Sequence, residues 1–214
     1  MVCSMPRYSQ TLTATALAFI ATAACSQPAR APEKVITAIW SVQQLDFTYR
    51  SARGFYACNA LQARLAGMLM RLGARESVKV EMECTGSGLV NSVHARISVA
   101  APVEATEENV QAATSFDARD RLTARLNRFA LPTAAEIERF PAAWRRVTLT
   151  ESRQRRFDES QCELLSDVQQ QILPRLSVRN VTPLYCSPWA TRIARGLEVD
   201  ALVRVSVPTE RADR

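Results

Sequence analysis

Apolar residues recur at helical spacing in the first half of the chain. Leu61, Leu65 and Leu72 fall on one face of a helix, while polar residues fill the other positions. This spacing predicts an amphipathic helix over 58–72. Gly73 follows it directly, and glycine readily takes the left-handed conformation that closes a helix.

A second stripe of the same kind occurs about a hundred residues later. Leu165, Val168 and Ile172 share one face, which predicts another amphipathic helix that begins near Cys162. Pro174 follows the stripe, and because proline removes a helical hydrogen bond, we expect this helix to stop or kink there.

Alternation of apolar and polar residues predicts strands around both helices. One strand precedes each helix, within 35–49 and within 143–150, and a short strand and a longer final strand follow each helix. The short strands are marked by Val78, Val80 and Met82 in the first half and by Thr182, Leu184 and Cys186 in the second; the final strands run through Val93 to Val99 and Leu197 to Val207.

The two halves match each other residue by residue. At an offset of 104, Trp40 meets Trp144, Cys58 meets Cys162 and Arg75 meets Arg179; the second cysteines match at 102 and the final strands at 108. Such ordered matches indicate an internal duplication, in which each copy buries its apolar face against the other.

The predicted fold is therefore α+β: two duplicated strand-helix-strand-strand units, a largely antiparallel sheet with helices on one side, and disulfide staples. Residues 32–102 form the first unit and 143–214 the second. Between them, 103–142 reads as a helical connector, with a packing helix over 117–129 whose Leu122 and Leu126 share one face.

The first residues predict export. Residues 1–31 read as a signal peptide and tether: Arg7 supplies the positive charge, and small and apolar residues follow up to Ala24. Two processing routes fit this segment. The stretch around Cys25 resembles a bacterial lipoprotein box, in which Cys25 is acylated, although Thr22 stands where that pattern prefers leucine; ordinary cleavage near Ala31 is the rival.

Composition indicates the compartment in which the protein works and shows that its net charge is small. The formal net charge is +6 over 214 residues, and cleavage after Ala31 removes two of the arginines. An exported chain with four further cysteines, arranged alike in the two halves, is typical of a disulfide-bonded protein. Four cysteines permit three pairings, and the duplication favours Cys58 with Cys84 and Cys162 with Cys186.

Candidate chemistry is sparse. His94 is the one histidine, and alternation places it on the polar face of its strand, as it does Glu81 and Glu83. The glycine-containing stretch 85–88 lies between two strands and lacks the helix start that phosphate-binding loops use. We therefore predict no catalytic residue, metal site or cofactor.

A cluster of arginines is the strongest functional hint in the sequence. It surrounds the start of the second unit and suits either a solvated loop or contact with an anionic surface. Its members are Arg145, Arg146, Arg153, Arg155 and Arg156.

The stretch from Phe55 to Arg75 and its counterpart from Cys162 to Leu176 resemble a group of small secreted or lipoprotein-like proteobacterial proteins. The shared motif is a helix that starts at a cysteine, followed by a returning strand. The resemblance implies location in the cell envelope and a stapled fold, and it transfers no active site.

These observations predict a non-enzymatic exported protein, either periplasmic or an outer-membrane lipoprotein, with a binding, structural or accessory role. The expected partner is an envelope protein, an anionic lipid or a cell-wall polymer, and not nucleic acid; membrane contact would come only through a lipid anchor. The alternative is a hydrolase acting on an envelope polymer through a dispersed site. An exposed sheet edge would favour an assembly or chaperone-like role.

Overall fold

A computed structural model of the chain describes residues 34–51, 55–84, 88–149, 159–184 and 196–206. All of them belong to one compact unit, Glu33–Arg214.

The first half of this unit contains the elements up to the end of its longest hairpin. They are β1 (Val35–Arg50), β2 (Tyr56–Ala57), α1 (Cys58–Arg71), β3 (Lys79–Met82), β4 (Leu89–Val90) and β5 (Ser92–Glu104). The connector and the second half follow. They contain α2 (Glu107–Ala113), α3 (Ala118–Asn127), β6 (Arg139–Leu149), α4 (Glu159–Gln171), a 3₁₀ turn (Leu173–Arg175), β7 (Val178–Arg179) and β8 (Leu197–Arg204).

Six strands form one antiparallel sheet in the order β3-β5-β1-β6-β8-β7, and β2 pairs with β4 in a separate ladder. The predicted α+β class and antiparallel sheet are confirmed. Each half contributes its strands in the same arrangement, and the two halves meet where β1 pairs with β6. Both halves therefore belong to one sheet.

The strand register refines the correspondence between the halves. Trp40 lies opposite Pro102 and Trp144 lies opposite Leu202, so the final strands correspond at an offset of 100, not at the 108 taken from the sequence. The match of residues 96–99 with 204–207 does not reflect equivalent positions in the sheet.

One hydrophobic core spans both halves. It lies on the face of the sheet formed by the odd-numbered residues of β1, β5, β6 and β8, where α1 and α4 pack. The largest fully buried side chains include Phe47, Tyr49, Leu61, Leu65, Ile97, Leu165, Ile172 and Leu197. Neither half has this core to itself, because the set takes residues from both.

A smaller apolar cluster occupies the other face. It consists of Ala38, Phe140, Ala142 and Leu202, with Ile36, Trp40 and Trp144 packed against them. The ring centroids of Trp40 and Phe140 lie 4.4 Å apart, close to the short end of the separations that aromatic pairs prefer.

The disulfide predicted in the first half is present. Cys58, at the start of α1, is bonded to Cys84, and their Cα atoms are 6.2 Å apart, a usual separation for a disulfide. Cys162 is also disulfide-bonded, whereas its predicted partner Cys186 lies outside the described residues, as do Cys25 and the predicted signal peptide.

Two predicted elements of the second half differ in the structure. The strand expected at 182–186 is replaced by β7, which comes earlier and contains two residues; residues 181–184 are irregular. Pro183 cannot donate to a ladder, which agrees with this. The helix before it ends at Gln171, and Pro174 lies in a 3₁₀ turn, as the predicted stop requires.

The connector differs more. Strand β6 begins at Arg139, inside the range assigned to the connector, and α3 turns its predicted packing face outward: Leu122 is 57 % and Leu126 73 % exposed, while Ala124 is buried. Helical spacing identified the helix but not the side on which it packs. Asp117 and Asp120 form its capping box.

Gly73 ends α1, as predicted, with a φ of +94°, and a Cβ there would clash with the Leu202 carbonyl oxygen. We expect Gly73→Ala to lower the free energy of unfolding by at least about 1–2 kcal/mol, since the left-handed conformation alone costs an alanine that much. Urea unfolding measures the loss.

Gly67 is the matched control. It lies in the interior of α1 with nothing within 4 Å of a Cβ built on it, so Gly67→Ala should raise the free energy of unfolding by about 0.5–1 kcal/mol. Equal effects of the two substitutions would contradict the assigned end of the helix.

Candidate functional site: a groove beside strand β1

The ladder between β1 and β6 is short. β1 pairs with β5 from Ala38 to Arg50, but it pairs with β6 only from Val35 to Ile39. Beyond Ile39 the chain that leads into β6 leaves β1. Among the residues that the structure describes, the rest of β1 therefore has a neighbouring strand on one edge only.

The direction of one hydrogen bond shows which residues face the unpaired edge. The carbonyl of Thr37 accepts from the Ala105 N–H on the β5 side, so odd-numbered residues direct their backbone polar groups towards β5. In an antiparallel ladder these directions alternate along the strand. The N–H and C=O groups of Val42, Gln44 and Asp46 therefore face the unpaired edge.

Helix α4 covers the far end of that edge. The Gln171 amide donates to the Thr48 carbonyl at 2.8 Å and accepts from the Thr48 N–H at 2.9 Å, and Asp167 accepts from the Arg50 N–H at 3.4 Å. Between these bonds and Ile39, no hydrogen bond to the edge-facing backbone groups of β1 occurs within the described ranges.

A groove of about 670 Å³ lies beside this part of β1, a volume in the range of ligand sites. Residues 40–44 form one wall, and consecutive residues from both faces of the strand take part. The opposite wall comes from the connector and from the chain entering β6, with Phe116, Phe129, Leu131 and Ile137 as its apolar side chains. Val42 projects with 75 % of its surface exposed.

Two donors at the groove have few partners. The Arg75 guanidinium lies over the Trp40 ring at 6.0 Å, near the outer limit of a cation–π contact, and it forms no ion pair with a described carboxylate. The indole nitrogen of Trp40 is buried without a hydrogen-bond partner in the described part of the chain. An unpaired buried donor typically costs about 1–3 kcal/mol.

The carboxylates that line the groove each have a hydrogen-bond or ion-pair partner within the protein. Asp120 accepts from the Asp117 N–H, and Glu138 pairs with Arg204 at 3.2 Å. Glu136 accepts from the Thr133 N–H at 2.8 Å and from its hydroxyl at 2.9 Å, and these bonds lower the pKa of Glu136. Arg75 is the one cationic side chain among the described residues that line the groove, and no described carboxylate pairs with it.

The second half contains an equivalent pair in a different setting. Arg179 lies 4.2 Å from the centre of the Trp144 ring. A carboxylate accompanies it: the Asn180 side chain, the largest influence, and Arg146 lower the pKa of Asp200, and the charge of Arg179 adds to this effect. This pair does not line the groove, so it provides an internal control for the first.

The structure describes two of the five residues of the predicted arginine cluster. Arg145 and Arg146 are consecutive residues of β6, so their side chains leave opposite faces of the strand. Arg146 pairs with Asp200 at 3.3 Å. Arg153, Arg155 and Arg156 lie outside the described residues, and a common anionic surface stays a prediction.

His94 lies on the polar face, as predicted, with 49 % of its side chain exposed, 3.5 Å from Asp46 and 3.4 Å from the Thr48 hydroxyl. Glu81 and Glu83 are exposed as expected. Gly88 belongs to the predicted glycine turn and has a φ of +77°; residues 85–87 lie outside the described part.

A polar cluster, which the sequence pattern did not predict, joins α4 to the end of β1. The Ser51 hydroxyl donates to Glu163 at 2.6 Å, and burial raises the pKa of Tyr49 to about 12. Ser51 is 7 % exposed, so a substrate does not reach this hydroxyl in the structure. The arrangement fastens α4 to β1.

Asp167 in this cluster predicts a pH dependence of stability. Burial, the largest cause, and the nearby charge of Glu163 raise the pKa of Asp167, against the Arg50 N–H bond that lowers it. The folded state therefore holds this proton more tightly than the unfolded state, and stability falls as pH rises through the shifted range. We expect Asp167→Asn to unfold at a higher temperature than wild type at pH 7, with the difference vanishing near pH 3.

Glu76→Gln is the control, since Glu76 is exposed in the turn between α1 and β3. Thermal unfolding of both variants across this pH range distinguishes them. A wild-type protein as stable as Asp167→Asn at pH 7 would contradict the assigned effect of burial.

The described part of the chain contains little that points to another kind of site. No three His, Cys, Asp or Glu side chains there are grouped as metal ligands, and none of its helices combines the length and apolar character needed to cross a membrane. Comparison of the chain with protein-family models, curated proteins and solved structures finds no match.

Proposed function

We propose that this protein is a non-enzymatic exported envelope protein that binds a partner in the groove beside β1. The observation that carries the proposal is the interruption of the β1–β6 ladder at Ile39. It leaves the backbone edge of β1 open beside a groove, and open strand edges are common recognition sites.

Export and anchoring are part of the same proposal. An N-terminal signal peptide directs the chain out of the cytoplasm, and acylation of Cys25 attaches it to a membrane. The Cys58–Cys84 bond is consistent with an oxidising compartment. Palmitate labelling that is lost in Cys25→Ala would support the anchor, and an unlabelled wild-type protein would remove it.

We also propose that the two halves descend from one duplicated module. The matched order of strands around β1 and β6 supports this, as do the two Trp–Arg pairs. Only the first pair lies at the groove, so the copies have diverged in use.

Site-specific photocrosslinking in intact cells tests the function. A photoreactive residue at Val42, which is exposed in the groove, should give a discrete adduct. The same residue at Glu108, which is exposed on α2 outside the groove, should give none. Equal labelling at both positions, or no adduct at Val42, would overturn the proposal.

A further inference from the structure

Between Ile39 and Thr48, no described strand lies beside the open edge of β1. Val42, Gln44 and Asp46 present alternate N–H and C=O groups that no described residue bonds. From Trp40 to Asp46 the edge is about 20 Å long, the length of about six residues in an extended chain. α4 ends it at Thr48 through Gln171, so the edge has a defined limit.

The groove restricts what can bind at the open edge. Its other wall is made by the connector and the chain entering β6. A second folded copy would bring its own sheet and helices against that wall. A single extended peptide segment lacks such flanking structure.

The charges at the groove further limit the kinds of ligand that could bind there. Glu138 is paired with Arg204. Arg75 is the one cationic side chain among the described residues that line the groove, and it contacts the Trp40 ring and no described carboxylate. A ligand carboxylate would supply the missing partner, since guanidinium groups bind carboxylates with paired hydrogen bonds.

We propose that the groove binds an extended peptide segment that adds a strand to the open edge of β1 and places a carboxylate near Arg75. This inference rests on the proposed function and names its ligand. Backbone hydrogen bonds to Val42 and Gln44 supply the register, as in other cases of strand addition.

The probes are peptides coumarin-Thr-Val-Thr-X-Thr-Val-Thr-amide, which carry an uncharged coumarin fluorophore at the N-terminus, with X varied over the natural residues. Fluorescence anisotropy with the mature wild-type protein should show binding, tightest for X as Glu or Asp, by roughly threefold to tenfold over Gln. Absence of binding by every member, or no preference for the acids, would overturn the proposal.

Two substitutions separate backbone pairing from charge. Val42→Pro removes an N–H that faces the open edge and leaves the bonds to β5 in place, so binding of all peptides should fall roughly tenfold or more. Val42→Ala loses side-chain contacts in the groove but keeps the N–H, so Val42→Pro should bind roughly tenfold more weakly than Val42→Ala. Arg75→Gln should remove the preference for acidic X, while Arg179→Gln, at the equivalent pair, should retain it.

Further controls distinguish an error in the proposed ligand from an error in the proposed binding function. Thermal unfolding establishes that each variant is folded, and N-methylation of every peptide amide should abolish binding to the wild type whatever the variants do. If Val42→Pro or N-methylation leaves binding unchanged, strand addition is wrong. A crosslinked adduct at Val42 without peptide binding would overturn the ligand class and keep the groove as a binding site.

Discussion

Replacing Phe47 with alanine is expected to lower the free energy of unfolding by about 3–5 kcal/mol. Phe47 is 0 % exposed and lies in the core to which both halves contribute. Most of a domain's stability would be lost, since typical values are about 5–15 kcal/mol. Urea unfolding followed by tryptophan fluorescence and by far-ultraviolet circular dichroism measures the effect.

Because one core holds both halves, the two probes should report a single transition in the wild type and in the variant. Phe55→Ala is the control: Phe55 is 69 % exposed, and its loss should change stability by less than about 0.5 kcal/mol. Two separated transitions would show that the halves fold independently, against the shared core.

Removal of the Cys58–Cys84 bond is expected to cost about 3–4 kcal/mol. The two cysteines are 26 residues apart in the chain, and closing a loop of that size reduces the entropy of the unfolded state by this amount in the chain-entropy model. The double variant Cys58→Ala/Cys84→Ala, unfolded in urea without reductant, measures it.

The single variant Cys84→Ala should lose nearly as much, because Cys84 is exposed and contributes little except the bond. Non-reducing peptide mapping of the wild type provides the second check. Recovery of Cys58 joined to Cys162 would contradict the pairing within the first half, as would a loss below about 1 kcal/mol.

The local elements of the first half followed from its residues. Helix α1 was predicted from the spacing of Leu61 and Leu65 and its end from Gly73, since both are set by nearby sequence. Alternation also assigned faces correctly, as His94 shows. Alternation would also have assigned Arg145 and Arg146 to opposite faces, because they are consecutive residues of a strand that the sequence predicts.

The groove could not be predicted in this way. Alternation shows which face of a strand a side chain occupies, but the neighbours along each edge depend on distant segments. The end of the β1–β6 ladder at Ile39 is set by the connector, whose packing the spacing of Leu122 and Leu126 misrepresented. The contact of Arg75 with Trp40 likewise joins residues that are distant in the chain. The sequence matched each of them with its counterpart in the second half, but it did not show that they touch.

Residue-resolved amide hydrogen exchange along β1 tests the central claim most directly, because exchange reports which N–H groups are hydrogen-bonded. The open edge predicts alternation: the amides of Gln43 and Leu45, which face β5, should exchange slowly, and those of Val42 and Gln44 faster by a factor on the order of 100. Equal protection of all four amides would contradict an open edge and the binding groove derived from it.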